Sequence, residues 1–258
     1  MGKISIGDVL ILSLILTAIL LKCLPRIHSV HEFYVMLIYF SLYLTAVAVA
    51  SLTFWKRAWI LLLSGIFMGF TFELLGTRAG LPFGLYYYKE LKPQVFGVAL
   101  FVPIAWGTYL FLSYLTARSF FKGLKAVIMA SSLMVILDLA VDPIMTSWEA
   151  WVWITKTEIN WYGIPWTNYL GWFTVSFLSL LLYRQFGGDE IEESIALRFI
   201  PLLYLLELFV FHALAMPKAS DPTFYALLIS VIALVIGWTY GNLVEKLRRE
   251  RTYHLSYV

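Results

Sequence analysis

Cysteine occurs once in this chain, at Cys23, so neither an intramolecular disulfide nor a thiolate metal cluster is open to it. Charge is equally scarce. Only 14% of the 258 residues are Asp, Glu, Lys or Arg, against about 25% in ordinary soluble domains. Nineteen basic and sixteen acidic residues leave a net charge of +3, too little to hold a nucleic acid by its phosphates. No internal repeat marks a solenoid, and no low-complexity linker divides the chain, which therefore reads as one domain, 1–258. The first hydrophobic run follows a single lysine and lacks a small-residue cleavage pattern, so it reads as a retained span rather than a signal peptide.

What is plentiful is apolar surface: 61% of residues are hydrophobic and the mean hydropathy is +0.81. A water-soluble fold of this size cannot bury that much, so its solvent is lipid. A bilayer core about 30 Å thick takes roughly 20 apolar residues per helix. That ruler predicts an all-α polytopic transmembrane helical bundle of about eight spans: 7–24, 34–54, 57–75, 94–116, 124–142, 168–184, 195–216 and 222–243. With eight spans the two termini share a side, and that side carries twelve Lys and Arg against seven opposite. The excess places both termini in the cytoplasm and the protein in the cell membrane. The tail Glu245-Lys246-Leu247-Arg248-Arg249-Glu250-Arg251 adds a basic flank suited to anionic lipid.

Four carboxylates fall within these spans: Glu73, Asp138, Asp142 and Glu207, with His212 little more than a turn beyond the last. Ionisable groups in hydrocarbon are costly and normally face a bundle interior or a wet cavity where they have work to do. Asp138 and Asp142 are i,i+4 and share a helical face. Pro143 disfavours helix at the residue before it, which predicts a helix end there with Asp142 at its mouth. Tracing helix directions puts all four acids between the bilayer middle and the outer face, with no Lys or Arg at equal depth except Arg78. A lone buried acid often only caps a helix or bonds a nearby hydroxyl. Four on one side favour a site, and an acid kept protonated there is a proton donor.

The same face carries the two longest connections. The first, from Gly76 to Tyr88, mixes Gly and Pro with Tyr86, Tyr87 and Tyr88. The second, followed from Asp142-Pro143 to Gly171-Trp172 in the first turn of the sixth span, holds six of the ten tryptophans: Trp148, Trp151, Trp153, Trp161, Trp166 and Trp172. An interfacial aromatic belt explains one or two per helix end. This density also fits a slot for a long flat apolar substrate, whose cations aromatic faces stabilise.

Three blocks carry a resemblance: Glu73-Leu-Leu-Gly-Thr-Arg-Ala-Gly-Leu-Pro-Phe-Gly-Leu-Tyr-Tyr-Tyr, Asp138-Leu-Ala-Val-Asp-Pro, and Trp161-Tyr-Gly-Ile-Pro-Trp-Thr-Asn-Tyr-Leu-Gly-Trp. Together they resemble the carotenoid hydratase family, the bacterial carotenoid 1,2-hydratases and archaeal bisanhydrobacterioruberin hydratases, over about residues 65–175. The resemblance implies addition of water to a terminal C=C of an acyclic C40 or C50 carotenoid. A carboxylic acid protonates the alkene and water captures the tertiary carbocation, with no cofactor and no metal. It implies Asp138 or Asp142 as donor, Glu73 as partner and Glu207 as a further acid. Tyr86, Trp151, Trp153, Trp161, Tyr162, Trp166, Asn168 and His212 would then contact substrate. The implied partners are the carotenoid, water and membrane lipid. A carotenoid cyclase shares the protonation step, and a proton-coupled transporter would also use intramembrane acids, although no repeated halves support one.

Overall fold

The computed structural model describes residues 4–24, 32–89, 91–186, 191–192 and 194–255, with residue 32 and residues 244–255 described by backbone alone. Lys3, Arg26 and the side chains of the basic tail, all used in the orientation argument, lie outside that description. Among the described residues there are eight helices: α1 Ile6–Leu21, α2 Glu32–Thr53, α3 Ala58–Ala79, α4 Phe101–Arg118, α5 Leu124–Ser147, α6 Trp166–Phe186, α7 Ala196–Leu214 and α8 Pro217–Leu255. The molecule is a transmembrane helical bundle, as its hydropathy predicts. Five helices (α2, α3, α5, α7 and α8) are long and apolar enough to cross a membrane, and α1 is a shorter apolar helix. The other two, α4 and α6, carry more polar residues for a physical reason. Fourteen of the eighteen residues of α4 are buried, including Thr108, Ser113 and Thr116, and a helix sheathed by other helices needs no lipid-facing stripe.

Close approach sets the core. Gly107 of α4 faces α3 so tightly that an added Cβ would lie 2.7 Å from the Leu62 carbonyl oxygen, and one on Gly69 would lie 2.6 Å from the Trp106 side chain. Small residues at this crossing let two backbones meet without side chains between them. At the end of the bundle where α1 begins, Asp8 completes a capping box with Ser5 and accepts from the Ala196 N–H at 3.0 Å, tying α1 to the start of α7. Trp55 donates to the Tyr183 hydroxyl at 2.8 Å at the same end.

The opposite end is closed by short strands: β1 Tyr86–Tyr88, β2 Gln94–Val95, β3 Val98–Ala99, β4 Trp151–Trp153, β5 Asn160–Trp161 and β6 Ile164–Pro165. β1 pairs antiparallel with β4, Tyr86 opposite Trp153 and Tyr88 opposite Trp151. The two long connections are thus one structure rather than two loops. The strand pair β2–β3 corrects the expected span 94–116, which begins as a hairpin turned at Phe96 and Gly97, both at positive φ. Hydropathy alone does not separate a short apolar hairpin from the start of an apolar helix.

A second correction concerns Pro143, which does not end α5; the helix continues to Ser147. A proline removes one N–H and leaves the carbonyl four residues back unpaired. Here that carbonyl, on Leu139, accepts from the Trp161 indole N–H at 3.1 Å. Pro201 within α7 is handled alike, since the Leu197 carbonyl accepts from the Ser119 hydroxyl. In a bilayer such replacement partners are what make an internal proline tolerable.

The α3–α4 crossing yields the first prediction. Gly107→Val is expected to destabilise the protein by about 1–3 kcal/mol through overpacking, read as a lower thermal midpoint of the detergent-purified protein.

Candidate active site

Asp138 and Asp142 project from one face of α5 and are both buried, Asp138 completely. A single side chain holds them. The Asn168 amide nitrogen, in the first turn of α6, donates to Asp138 Oδ2 at 2.6 Å and to Asp142 Oδ2. One amide carries two N–H bonds, so it spans two acceptors and no more. Asn168 therefore draws the two Oδ2 atoms toward one point. Trp151 of β4 is buried, 7% exposed.

Glu73 approaches this pair from α3. It accepts from the Trp106 indole N–H at 2.9 Å and from the hydroxyls of Tyr86 and Tyr88. Burial, and then the Glu73 carboxylate itself, push both phenols well above the ordinary tyrosine range, so they stay protonated and donate. Three donors converge on Glu73, an environment made for a carboxylate acting as acceptor. Trp106 in turn stacks on Trp172, ring centroids 4.1 Å apart. Trp172 lies one turn beyond Asn168 on α6, so the stack and the aspartate clamp share a helix.

Glu207 departs from what the sequence predicts. It forms a salt bridge with Lys22 and accepts from the Tyr39 hydroxyl at 3.0 Å. Lys22, expected on the membrane flank beyond α1, bends inward instead, its ammonium 4.1 Å from the Phe211 ring centre and 4.4 Å from that of Tyr39. A long aliphatic stem lets a lysine at a helix end reach a charge below or above it. Among the described residues, the expectation of four acids without a basic partner therefore holds for Glu73, Asp138 and Asp142 and fails for Glu207.

Between the two clusters lies a cavity of about 230 Å³, walled mainly by apolar and aromatic side chains. Trp106, Trp148, Trp151 and Trp172 line the part nearest Glu73 and Asp142, while Lys22, Tyr39, Tyr109 and Phe211 line the part nearest Glu207. From α5 come Val141, Ile144 and Met145, the residues flanking Asp142. Sites that enclose a whole drug-sized ligand run about 300–1,000 Å³, so this one suits the end of a longer chain. Among the described residues no group of three or more His, Cys, Asp or Glu has the arrangement of a metal site.

The carotenoid biosynthesis protein family matches residues 33–242, most of the chain and every acid of the site. The chain belongs to that family. Over 155 residues it is also 26% identical to the bisanhydrobacterioruberin hydratase of Haloarcula japonica, a match covering 57% of this chain and 52% of that protein. The matched segment thus spans about half the length of the curated relative. No solved structure matches the chain.

Within this family member the expected substrate contacts divide. Trp151 lines the cavity. Tyr86 serves Glu73, and Trp153 packs on Tyr86 with ring centroids 4.8 Å apart. Asn168 holds the aspartates rather than facing the cavity. Trp161 bonds the Leu139 carbonyl, Tyr162 packs on Trp161, and Trp166 is 46% exposed at the start of α6. His212 meets Thr223 of α8 at 3.1 Å, away from the cavity. Sequence reasoning missed Trp106 and Tyr109, whose i,i+3 spacing on a buried helix is the signal that places both on one face. It also missed Tyr88 and Lys22 as partners of the acids.

The ion pair supplies the second prediction. Lys22→Met is expected to cost about 3–5 kcal/mol by stranding a buried charge, and adding Glu207→Gln to recover most of it. Equilibrium unfolding in mixed detergent micelles measures both; equal stability of the single and double variants would contradict it.

Proposed function

We propose that this protein hydrates a terminal C=C of an acyclic carotenoid without a cofactor. The observation that carries the reading is the Asp138–Asp142 pair, clamped by one amide and set behind the tryptophan wall of an apolar cavity. Membership of the carotenoid biosynthesis family and the hydratase activity named for the Haloarcula japonica relative support the same chemistry.

The steps follow from the groups present. One carboxyl of the pair gives its proton to the CH carbon of a trisubstituted terminal alkene, and the π electrons form the new C–H bond. Positive charge then rests on the adjacent tertiary carbon. Trp106 and Trp172 offer their faces to that charge. The Trp106 N–H, bonded to the Glu73 carboxylate at 2.9 Å, enriches the ring in electron density. Water adds its oxygen to the cation and returns a proton to the carboxylate that gave one. Atoms and charge balance, and the aspartate pair ends as it began. The volume suits a chain end, with the remaining polyene lying among the apolar faces and lipid. The excess of Lys and Arg on the side of the termini supports a cytoplasmic placement of both in the cell membrane.

Expression in a host that accumulates acyclic carotenoids, followed by pigment mass analysis, is the direct test. The expected product is heavier by one water for each end modified. Asp138→Asn or Asp142→Asn is expected to lower its yield by about 10²–10⁴-fold. A product of unchanged mass would indicate cyclisation, and full activity in Asp138→Asn would remove the aspartate pair from the mechanism.

A further inference from the structure

Trp161 stands in a sequence block rich in tryptophan, yet its indole is committed to the α5 backbone rather than to the cavity. Its partner is the Leu139 carbonyl, which Pro143 deprives of the usual helical N–H. Leu139 and Pro143 are each the immediate C-terminal neighbour of an aspartate, so the turn they delimit is the one that sets the angle between Asp138 and Asp142.

The geometry points to Trp161 as a positioning residue: it replaces the hydrogen bond lost at Pro143 and so holds Asp138 and Asp142 on one face beneath Asn168. Three observations fit together. α5 continues for four residues past Pro143, to Ser147, so the turn is not broken by the proline. Asn168 reaches both carboxyls with a single amide, at 2.6 Å for Asp138, which requires both acids to point the same way. The hairpin β5–β6 that carries Trp161 runs directly into α6, two residues before Asn168. One short segment thus supplies the donor that repairs the α5 backbone and the amide that clamps its side chains. An unpaired carbonyl in a dry helix would instead bend the helix toward any donor within reach, turning the carboxyls out of register with Asn168.

The inference rests on the reading of the two aspartates as the proton-donating pair. Its test uses the repair chemistry. Trp161→Phe keeps an aromatic ring and removes the donor. Pro143→Ala in the same chain restores an N–H four residues after Leu139, making the indole donor redundant. In proteoliposomes supplied with an acyclic carotenoid that the wild type converts, Trp161→Phe is expected to lower kcat by roughly tenfold to a hundredfold, the cost of slight misplacement of reacting groups. KM is expected to stay within about twofold, because Trp161 does not line the cavity. The double variant is expected to regain most of the lost kcat. Hydrogen exchange over residues 140–147 provides a readout independent of turnover: faster in Trp161→Phe, and returned toward wild type in the double variant.

A raised KM with unchanged kcat would make Trp161 a substrate contact and overturn the inference. So would a double variant as slow as Trp161→Phe, or unaltered exchange in the single variant. If the wild type converts no acyclic carotenoid, the hydratase reading falls instead. The exchange arm then decides the backbone repair by itself.

Discussion

Two carboxyl groups one helical turn apart, sealed from water, are tolerable only while something donates to both, and the arrangement around them serves that need. The donor, Asn168, must sit at a fixed depth and angle, so the start of α6 is anchored from several sides. Thr167 donates to the Phe83 carbonyl at 2.9 Å in the α3–α4 connection. Gly171, one turn on, leaves room for the Phe83 ring, which a Cβ there would strike. The same connection then delivers Tyr86 and Tyr88 to Glu73. The sheet formed by β1 and β4 links it to the segment leaving α5. The strands that close this end of the bundle therefore hold α3, α5 and α6 in the register that brings three acids together.

Much of this was legible in the sequence because membranes make polar residues expensive. An acid in an apolar helix is conspicuous, and i,i+4 spacing puts Asp138 and Asp142 on one face before any coordinates are known. The partners were not legible, for specific reasons. Lys22 follows the end of an apolar run, where a lysine ordinarily flanks the membrane, and only the packing of α1 against α2 and α7 turns it inward to Glu207. Trp106 and Tyr109 sit within an apolar span and look like core. Pro143 looks like a helix end because the group that repairs its lost bond is in a separate hairpin, brought back only by tertiary structure. Local preference does favour a helix end there and is overridden by a long-range donor.

The division of labour among the acids follows from the same accounting. Trp106 and Tyr109 are three residues apart on α4, about 4.5 Å along its axis. Trp106 bonds Glu73, and Tyr109 faces Glu207. One helix face thus addresses two carboxylates that differ in what else they meet. Glu207 is matched by the Lys22 ammonium, so its cluster adds little net charge to the cavity. Glu73 meets neutral donors from tyrosine and tryptophan, which bind a carboxylate without cancelling it.

Such a cavity is electrically one-sided. A positive charge developing within it is drawn toward Trp106, Trp172 and Glu73 and gains little from the neutral Lys22–Glu207 end, in a medium where Coulomb interactions are weakly screened. The ion pair also closes the bundle between α1 and α7 without placing an uncompensated acid near that end. In the proposed mechanism Lys22 and Glu207 work by being neutral together, confining the reacting carbon to the end where Asp138 and Asp142 can protonate it. Had Glu207 been unpaired like the others, the cavity would carry negative charge at both ends and would no longer direct the cation to either. Under the proposed mechanism the paired acid is therefore as much a condition for selective protonation as the unpaired ones.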